Sequence, residues 1–307
     1  MRRWGGMLLI AVVALVVSPD TAWAWTPGTH VFLGEAVLRN LTLLPAGVAA
    51  LLQHYPYDFL YGSIAADTSM AKKYAAAGRH CHAWHVGMEI RDLARSDSLR
   101  AFGIGYLSHL AADVVAHNYF VPFQLAGTAS TTAIGHSYWE TRFETLLPPS
   151  AAHRAHELLL LDHGRADEHL DRILSPTLFS TGTNRRLFRG MVRAADNENW
   201  QRVFQLLLER SRWDLDATSV EAHLVRSFDF IVDFLRRDEG AEPYAMDPAG
   251  DAPLREAKRV RRQAVHDGGA EGARDAALRA FGLPHTTLDY AQQLDVPLYP
   301  VMRAASS

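Results

Sequence analysis

Three residues that can bind metal ions recur at four-residue spacing in the segment AFGIGYLSHLAADVVAHNYFV. His109, Asp113 and His117 are spaced four residues apart. Four residues turn an α-helix by about 400°, so the three side chains fall on one face of a predicted helix. Apolar neighbours predict that this helix is buried, where a His–Asp–His stripe is costly unless it is paired or binds metal. The stripe predicts either a metal site or a hydrogen-bonded polar core.

A second pair of the same chemical type follows in GHSYWETRFE. His136 and Glu140 are four residues apart, so both side chains can reach one ion from one face of a helix. Such a pair is also common on ordinary helices, and alone it has little specificity. Residues 122–135 (PFQLAGTASTTAIG) are small and polar, and we predict that they form a loop between this helix and the stripe.

Two upstream segments add further candidates. Asp67 ends an apolar stretch in YGSIAADTS, and RHCHAWHVG supplies three histidines at the start of a predicted helix. Not all of His80, His82 and His85 need bind metal. Cys81, the one cysteine of the chain, is better interpreted as a small buried core residue than as a ligand.

The first 24 residues have the pattern of a secretion signal. Arg2 and Arg3 precede an apolar run of eleven residues, and Ala22-Trp23-Ala24 supplies the small residues that a signal peptidase recognises. The run is shorter than the roughly 20 residues that span a bilayer. We therefore predict an exported protein, either periplasmic or secreted.

Cleavage after residue 24 would make Trp25 the N-terminus. Its new amine and its own carbonyl can chelate a metal ion, and His30 follows five residues later. The alternative is that Trp25 fills the core and His30 caps a helix. An exported chain with one thiol has no internal disulfide, so its stability must come from helix packing and from any bound metal.

Helical periodicity dominates the rest of the chain, and no convincing run of alternating strands is present. The predicted fold is all-α, a multi-helix bundle over residues 25–238. Residues 239–307 form a C-terminal extension, in which 254–281 predicts a solvated helix loosely attached to the rest. A formal net charge of −3 argues against a surface for polyanions, so nucleic acid is a disfavoured partner.

These elements, in this order, resemble the bacterial zinc-dependent phospholipase C family, which shares its metal-site plan with the S1/P1 nucleases. They also resemble the N-terminal domain of glycosylphosphatidylinositol-specific phospholipase D. The resemblance covers residues 25 to about 147. It is carried by a tryptophan at the predicted cleavage site and by GTH, GSIAAD, SHLAAD and HSYWE.

The resemblance implies three zinc ions held by nine residues of this chain. The implied ligands are Trp25, His30, Asp67, His82, His109, Asp113, His117, His136 and Glu140. His82 is chosen from the three histidines because it immediately precedes the predicted helix and lies at a suitable distance from Asp67. Asp113 would bridge two ions, and Asp67 would also be the catalytic residue that orients or deprotonates the attacking water.

The implied reaction is hydrolysis of a phosphodiester by a zinc-bound hydroxide. A phospholipase C would convert a phospholipid, at a membrane or micelle surface, to diacylglycerol and a phosphorylated head group. The alternatives are an S1/P1-like nuclease or other phosphodiesterase, and a non-catalytic metal-stabilised module. Glu140, where the nucleases usually carry aspartate, favours the phospholipase. The sequence specifies neither the head group nor the oligomeric state.

Overall fold

The computed structural model describes residues 25–70, 72–76, 78–128, 132–211 and 213–299. Across these ranges all regular structure is helical, with 13 α-helices, one π-helical turn, several 3₁₀ turns and no β-strand. The predicted all-α class is confirmed. No helix within them combines the length and the apolar character needed to cross a membrane. The predicted signal segment, residues 1–24, lies outside the described residues.

The helices are numbered here in chain order. They are α1 (Pro27–Arg39), α2 (Ala46–His54), α3 (Pro56–Ala65), α4 (Trp84–Asp92), α5 (Asp97–Val115), α6 (Val121–Gly127), α7 (Thr132–Glu144), α8 (Ser150–Leu159), α9 (Gly164–Ile173), α10 (Thr181–Ala195), α11 (Glu198–Glu209), α12 (Ala217–Arg237) and α13 (Asp251–Phe281).

Helix α5 is the centre of the bundle and packs against α3, α4 and α12. It begins where the Ser96 side chain accepts a hydrogen bond from the backbone N–H of Leu99, and from Gly105 onwards the whole helix is buried. A helix that is apolar all round belongs in the interior. Polar side chains on α5 are therefore held inside the bundle.

Two glycines set how closely α3 approaches α5. A Cβ atom on Gly62 would clash with the carbonyl oxygen of Phe102, and one on Gly105 would clash with that of Phe59. Because both clashes are with backbone, no side-chain movement relieves them. The close crossing brings the 3₁₀ turn that follows α3, and with it Asp67, alongside α5.

The predicted continuous helix over 101–121 is interrupted. Helix α5 ends at Val115 and a π-helical turn covers Ala116–Phe120, where the backbone N–H of Val121 bonds to the carbonyl of Ala116. Pro122 has no N–H to continue an ordinary helical ladder, which favours this wider turn. His117 therefore lies in the π turn and not on a strict four-residue stripe.

The predicted loop over 122–135 is wrong for its first half, because residues up to Gly127 are helical. Helix α6 packs against α13, where the Cβ of Ala277 lies close to Gly127. Small side chains at this contact allow close helix packing, although the same small residues suggested a loop in the sequence. Residues 132–135, the other described end of that segment, begin α7.

Residues 254–281 lie on a helix whose side chains are mostly exposed, as predicted, but the predicted loose attachment is wrong. Helix α13 covers this segment, with a kink at Gly269, where φ is 67°. Ala257, Ala273 and Ala277 are fully buried, so the helix packs through alanines. The prediction of loose attachment was wrong because it depended on the lack of large apolar residues, whereas this contact is made by alanines. The proposed boundary after residue 238 stays a prediction.

Candidate metal centre

The eight side chains predicted to bind metal lie together around the C-terminal half of α5. None of them is more than 6% exposed. They form three groups of three, within which the ligand atoms lie within 4.8 Å of one another. The groups are His30 with His109 and Asp113, Asp67 with His82 and His109, and His117 with His136 and Glu140. Whether each one binds metal stays a prediction, but their convergence is a finding.

Asp113 is the hub of the first two groups, since it belongs to the first and contacts His82 and His109 of the second. Its Oδ1 lies 3.2 Å from His30 Nε2, and its Oδ2 lies 3.0 Å from both His82 Nε2 and His109 Nε2. These three histidines come from α1, from the segment before α4 and from α5 itself. The ring of His30 stacks on that of His109 with 3.9 Å between centroids. One carboxylate therefore joins three separate parts of the chain.

The outer nitrogens of three histidines have partners that orient the rings. His109 Nδ1 lies 2.9 Å from the Ser63 carbonyl oxygen, and His117 Nδ1 lies 2.6 Å from that of Pro248. A carbonyl can only accept, so both Nδ1 atoms donate, and in the neutral imidazole this leaves the lone pair on Nε2. His82 Nδ1 faces the Cys81 sulfur at 3.2 Å. This arrangement is typical of metal-binding histidines.

Several buried polar atoms of the centre have no hydrogen-bond partner among the described residues. They are His30 Nε2, Asp67 Oδ2, both Asp113 oxygens, His136 Nε2 and Glu140 Oε1. The short distances around Asp113 therefore join atoms that are close but not aligned for hydrogen bonding. Buried polar atoms without partners are rare and costly. Converging unpartnered nitrogens and carboxylate oxygens match the donor set of zinc, so the residues present fit the metal.

Lys72 belongs to this centre, although it was not among the residues predicted from the sequence. Its Nζ lies 2.9 Å from Asp67 Oδ1, and its side chain is only 11% exposed. Burial acts to raise the pKa of Asp67, but Lys72, His109 and His82 outweigh it, so the pKa lies below its ordinary value. No periodic pattern marks this lysine, because it lies in a 3₁₀ turn between helices.

Lys72 Nζ also lies 3.2 Å from His82 Nε2. Burial and Lys72 act to lower the pKa of His82, whereas Cys81, Asp113 and Asp67 raise it well above its ordinary value. Burial likewise acts to lower the pKa of Lys72, and Asp67 raises it. The Lys72 ammonium therefore lies close to two members of the centre, and its ion pair is with Asp67.

The third group is held together differently. His136 Nε2 lies 2.7 Å from Glu140 Oε1, and the rings of His136 and His117 meet edge to face at 5.3 Å. Burial, with repulsion from Asp67 and Asp113, raises the pKa of Glu140 well above its ordinary value. Burial also lowers the pKa of His136, and that of His117 to about 4. Without metal, these pKa shifts favour the uncharged forms of His117, His136 and Glu140.

The ring of Trp25 lies beside the hub. Its indole N–H donates to the Ala112 carbonyl at 3.1 Å, one residue before Asp113, and the ring contacts Phe120 and Phe143. The side chain thus fills the core, as the alternative interpretation expected. The predicted metal contact concerns the amine and carbonyl of Trp25 and stays a prediction.

Glu144 holds the segment that follows Trp25. Its buried carboxylate accepts a hydrogen bond from the Thr26 hydroxyl and from the backbone N–H groups of Gly28 and Thr29. These are the free N–H groups at the start of α1, which favour a negative partner. Burial raises the pKa of Glu144, and these bonds act against that rise. The carboxylate fixes the N-terminus of α1, which begins three residues before His30.

The other candidates near His82 lie at the edge of the centre. His85 is exposed and its Nε2 donates to the Gly78 carbonyl, so it does not join the three groups. His80 is half-buried, and its Nδ1 accepts from the backbone N–H of His82. Cys81 is buried, as predicted, with its sulfur 3.2 Å from His82 Nδ1. Because Cys81, His80 and His82 also form a fourth group whose ligand atoms lie within 4.8 Å of one another, the choice of core residue over ligand stays a prediction.

The fold and the centre together define an all-helical protein whose core is built around a buried site suited to several metal ions. The family model described as "Zinc dependent phospholipase C" matches residues 29–180. Over this segment the chain belongs to the zinc-dependent phospholipase C family. The family supports a hydrolase with zinc as its metal. Searches of curated proteins and of solved structures gave no significant match.

Proposed function

We propose that the protein is an exported phospholipase C that hydrolyses a phospholipid to diacylglycerol and a phosphorylated head group. The observation that carries this proposal is the set of unpartnered nitrogen and carboxylate donors around Asp113, in a chain of the zinc-dependent phospholipase C family. When bound, zinc would neutralise phosphate oxygens and make bound water a nucleophile near neutral pH.

The proposed centre holds three zinc ions. One set of ligands is Asp67, His82, His109 and Asp113, the second is His117, His136 and Glu140, and the third is Trp25, His30 and Asp113. The Trp25 ligand needs signal cleavage after residue 24. The protein would then act in the periplasm or outside the cell.

The chain's own residues would prepare the reaction in three ways. Asp67 Oδ2 has no hydrogen-bond partner among the described residues, so it can accept a hydrogen bond from the attacking water and orient it. The carbonyls of Ser63 and Pro248 hold His109 and His117 in fixed orientations. The surrounding apolar core lowers the local dielectric, which strengthens each electrostatic contact with the anionic substrate.

The test uses mature protein that starts at Trp25, with its N-terminus verified by mass spectrometry. Zinc content is measured beside release of diacylglycerol from mixed micelles of phosphatidylcholine, with and without chelator. About three zinc ions per chain and chelator-sensitive release are expected. A matched pair of variants, His82→Asn and His85→Asn, should separate the centre from its edge, with only the first losing zinc and turnover.

Other outcomes discriminate between the alternatives. Zinc with hydrolysis of single-stranded DNA but not of lipid would replace the phospholipase by a nuclease. Zinc without turnover on either substrate would favour a metal-stabilised module. A folded, correctly processed protein that binds no zinc would contradict the proposed function as a whole.

A further inference from the structure

The ammonium of Lys72 occupies two of the donor atoms assigned to zinc. It lies 2.9 Å from Asp67 Oδ1 and 3.2 Å from His82 Nε2. Those two donor atoms are 3.4 Å apart. A tetrahedral zinc at about 2.0–2.1 Å from each ligand needs its donors roughly 3.3 Å apart. The pair is therefore spaced for zinc and is held by a lysine.

The two occupants exclude each other in space and by charge. Lys72 Nζ lies 2.9 Å from Asp67 Oδ1 and 3.2 Å from His82 Nε2, so it occupies the space in which a zinc ion bound to both atoms would lie. Two cations at neighbouring donors would also repel each other strongly in a buried site. Zinc can bind His82 only after the ammonium has left it.

Lys72 is also the countercharge of the metal-free centre. Asp67 and Asp113 are fully buried carboxylates, and among the side chains that the structure describes Lys72 is the one lysine or arginine that forms an ion pair with either of them, through Asp67. A buried carboxylate without a cation is unstable. In the metal-free chain, Lys72 thus supplies the positive charge that bound zinc would supply in the loaded chain.

We propose that Lys72 is an internal competitor for zinc, which stabilises the metal-free centre by binding Asp67 and His82 and is displaced when zinc binds there. This inference rests on the zinc centre of the proposed function. It adds an order of loading, because no lysine or arginine among the described side chains pairs with the His117–His136–Glu140 group. Zinc fills that group first, and the Asp67–His82 pair binds more weakly than its donors alone would.

The direct experiment replaces Lys72 by methionine, which keeps the length of the side chain and removes the charge. Zinc is titrated into metal-free wild-type protein and Lys72→Met in competition with a chromophoric chelator. One site should bind zinc at least about tenfold more tightly in the variant, because no lysine has to be displaced before zinc binds. The other sites should be unchanged.

Metal-free stability gives a second readout. Without its countercharge, the buried Asp67 carboxylate should lower the unfolding midpoint of the metal-free variant by roughly 5 °C or more. The zinc-loaded variant should unfold no lower than loaded wild type. Lys72→Arg keeps a cation and should retain most of the competition, and Lys258→Met removes an exposed charge on α13 as a control.

A third readout needs no variant. Acylation of Lys72 by acetic anhydride, followed by mass spectrometry, should be slow in the metal-free wild-type protein and at least several-fold faster after zinc is added. The same labelling rate in both forms would overturn the proposal, and this holds even if Lys72→Met does not fold without metal.

The outcomes also separate this proposal from the proposed function. Zinc affinities of folded Lys72→Met within twofold of wild type at every site would overturn the lysine proposal and leave the zinc centre intact. Zinc binding to neither protein would remove the centre itself. Turnover enters none of these measurements.

Discussion

At one end of the metal centre, Asp67 lies against Lys72, and at the other end Glu140 lies against His136. Both carboxyl groups are buried, yet the pKa of Asp67 is lowered and that of Glu140 is raised. The cause is the neighbour, because Asp67 has an ammonium and Glu140 has only an imidazole that burial keeps neutral. The first end without metal is an ion pair, and the second is uncharged.

The difference shows that burial alone does not decide the charge of a metal-binding carboxylate. At the Asp67 end, the Lys72 ammonium stabilises the carboxylate without metal and opposes zinc binding. At the Glu140 end, which has no such ammonium among the described side chains, the carboxyl group keeps its proton until zinc binds. The two ends are therefore expected to bind zinc with different competitors, a lysine at Asp67 and a proton at Glu140.

The largest expected effect comes from removing the hub. Asp113→Asn weakens both groups that meet at α5, so it should lose at least two zinc ions and reduce turnover by roughly 10³-fold or more. Glu140→Gln touches one group only and should lose one ion. Metal analysis of the two purified variants checks this, and equal losses of zinc would contradict the role of Asp113 as the hub.

The Asp67 end depends on the close crossing of α3 and α5. Gly62→Ala puts a Cβ against the carbonyl of Phe102, so it should lower the free energy of unfolding by about 3 kcal/mol. Gly190→Ala is the matched control, since a Cβ there meets nothing within 4 Å. That change within α10 should instead stabilise the protein by about 0.5–1 kcal/mol. Urea unfolding measures the stability of both variants. Similar losses of stability in the two would mean that the close crossing of α3 and α5 is not the cause.

Acid should weaken the packing beside the Glu140 end. His223 contacts Phe120 in the π turn, and burial lowers its pKa to about 4 from 6.5. Its neutral form is favoured by folding, so its contribution is complete above pH 6.5 and is lost as the pH falls towards 4. The loss approaches roughly 3 kcal/mol at the acid end of that window. Stability curves of metal-free wild type and His223→Gln should converge as the pH falls, and parallel curves would refute this assignment.

The smallest expected effect concerns the N-terminus of α1. Glu144→Gln removes the negative charge that accepts hydrogen bonds from Thr26, Gly28 and Thr29, and should cost about 1 kcal/mol. The proposed zinc at Trp25 and His30 should weaken with it, while the Glu140 end keeps its zinc. Glu198→Gln on exposed α11 serves as the control. Loss of zinc from the Glu140 end alone would contradict this prediction.

Much of the centre could be predicted because its parts repeat at helical spacing. His109 with Asp113, and His136 with Glu140, needed only the knowledge that residues four apart share a helix face. The choice of His82 came from a family resemblance, and the structure brings His82, not His85, into contact with Asp113. Lys72 was out of reach, because its meeting with Asp67 depends on two irregular turns.

The sequence by itself determined the helical class and the residue types that converge on α5, because both follow from local periodicity and side-chain chemistry. Tertiary structure alone decided that α13 packs through its alanines and that the Pro248 carbonyl orients His117. It also decided that Lys72 holds Asp67. These features need segments distant in the chain, or separated by irregular turns, to meet in space, and no local pattern records such a meeting.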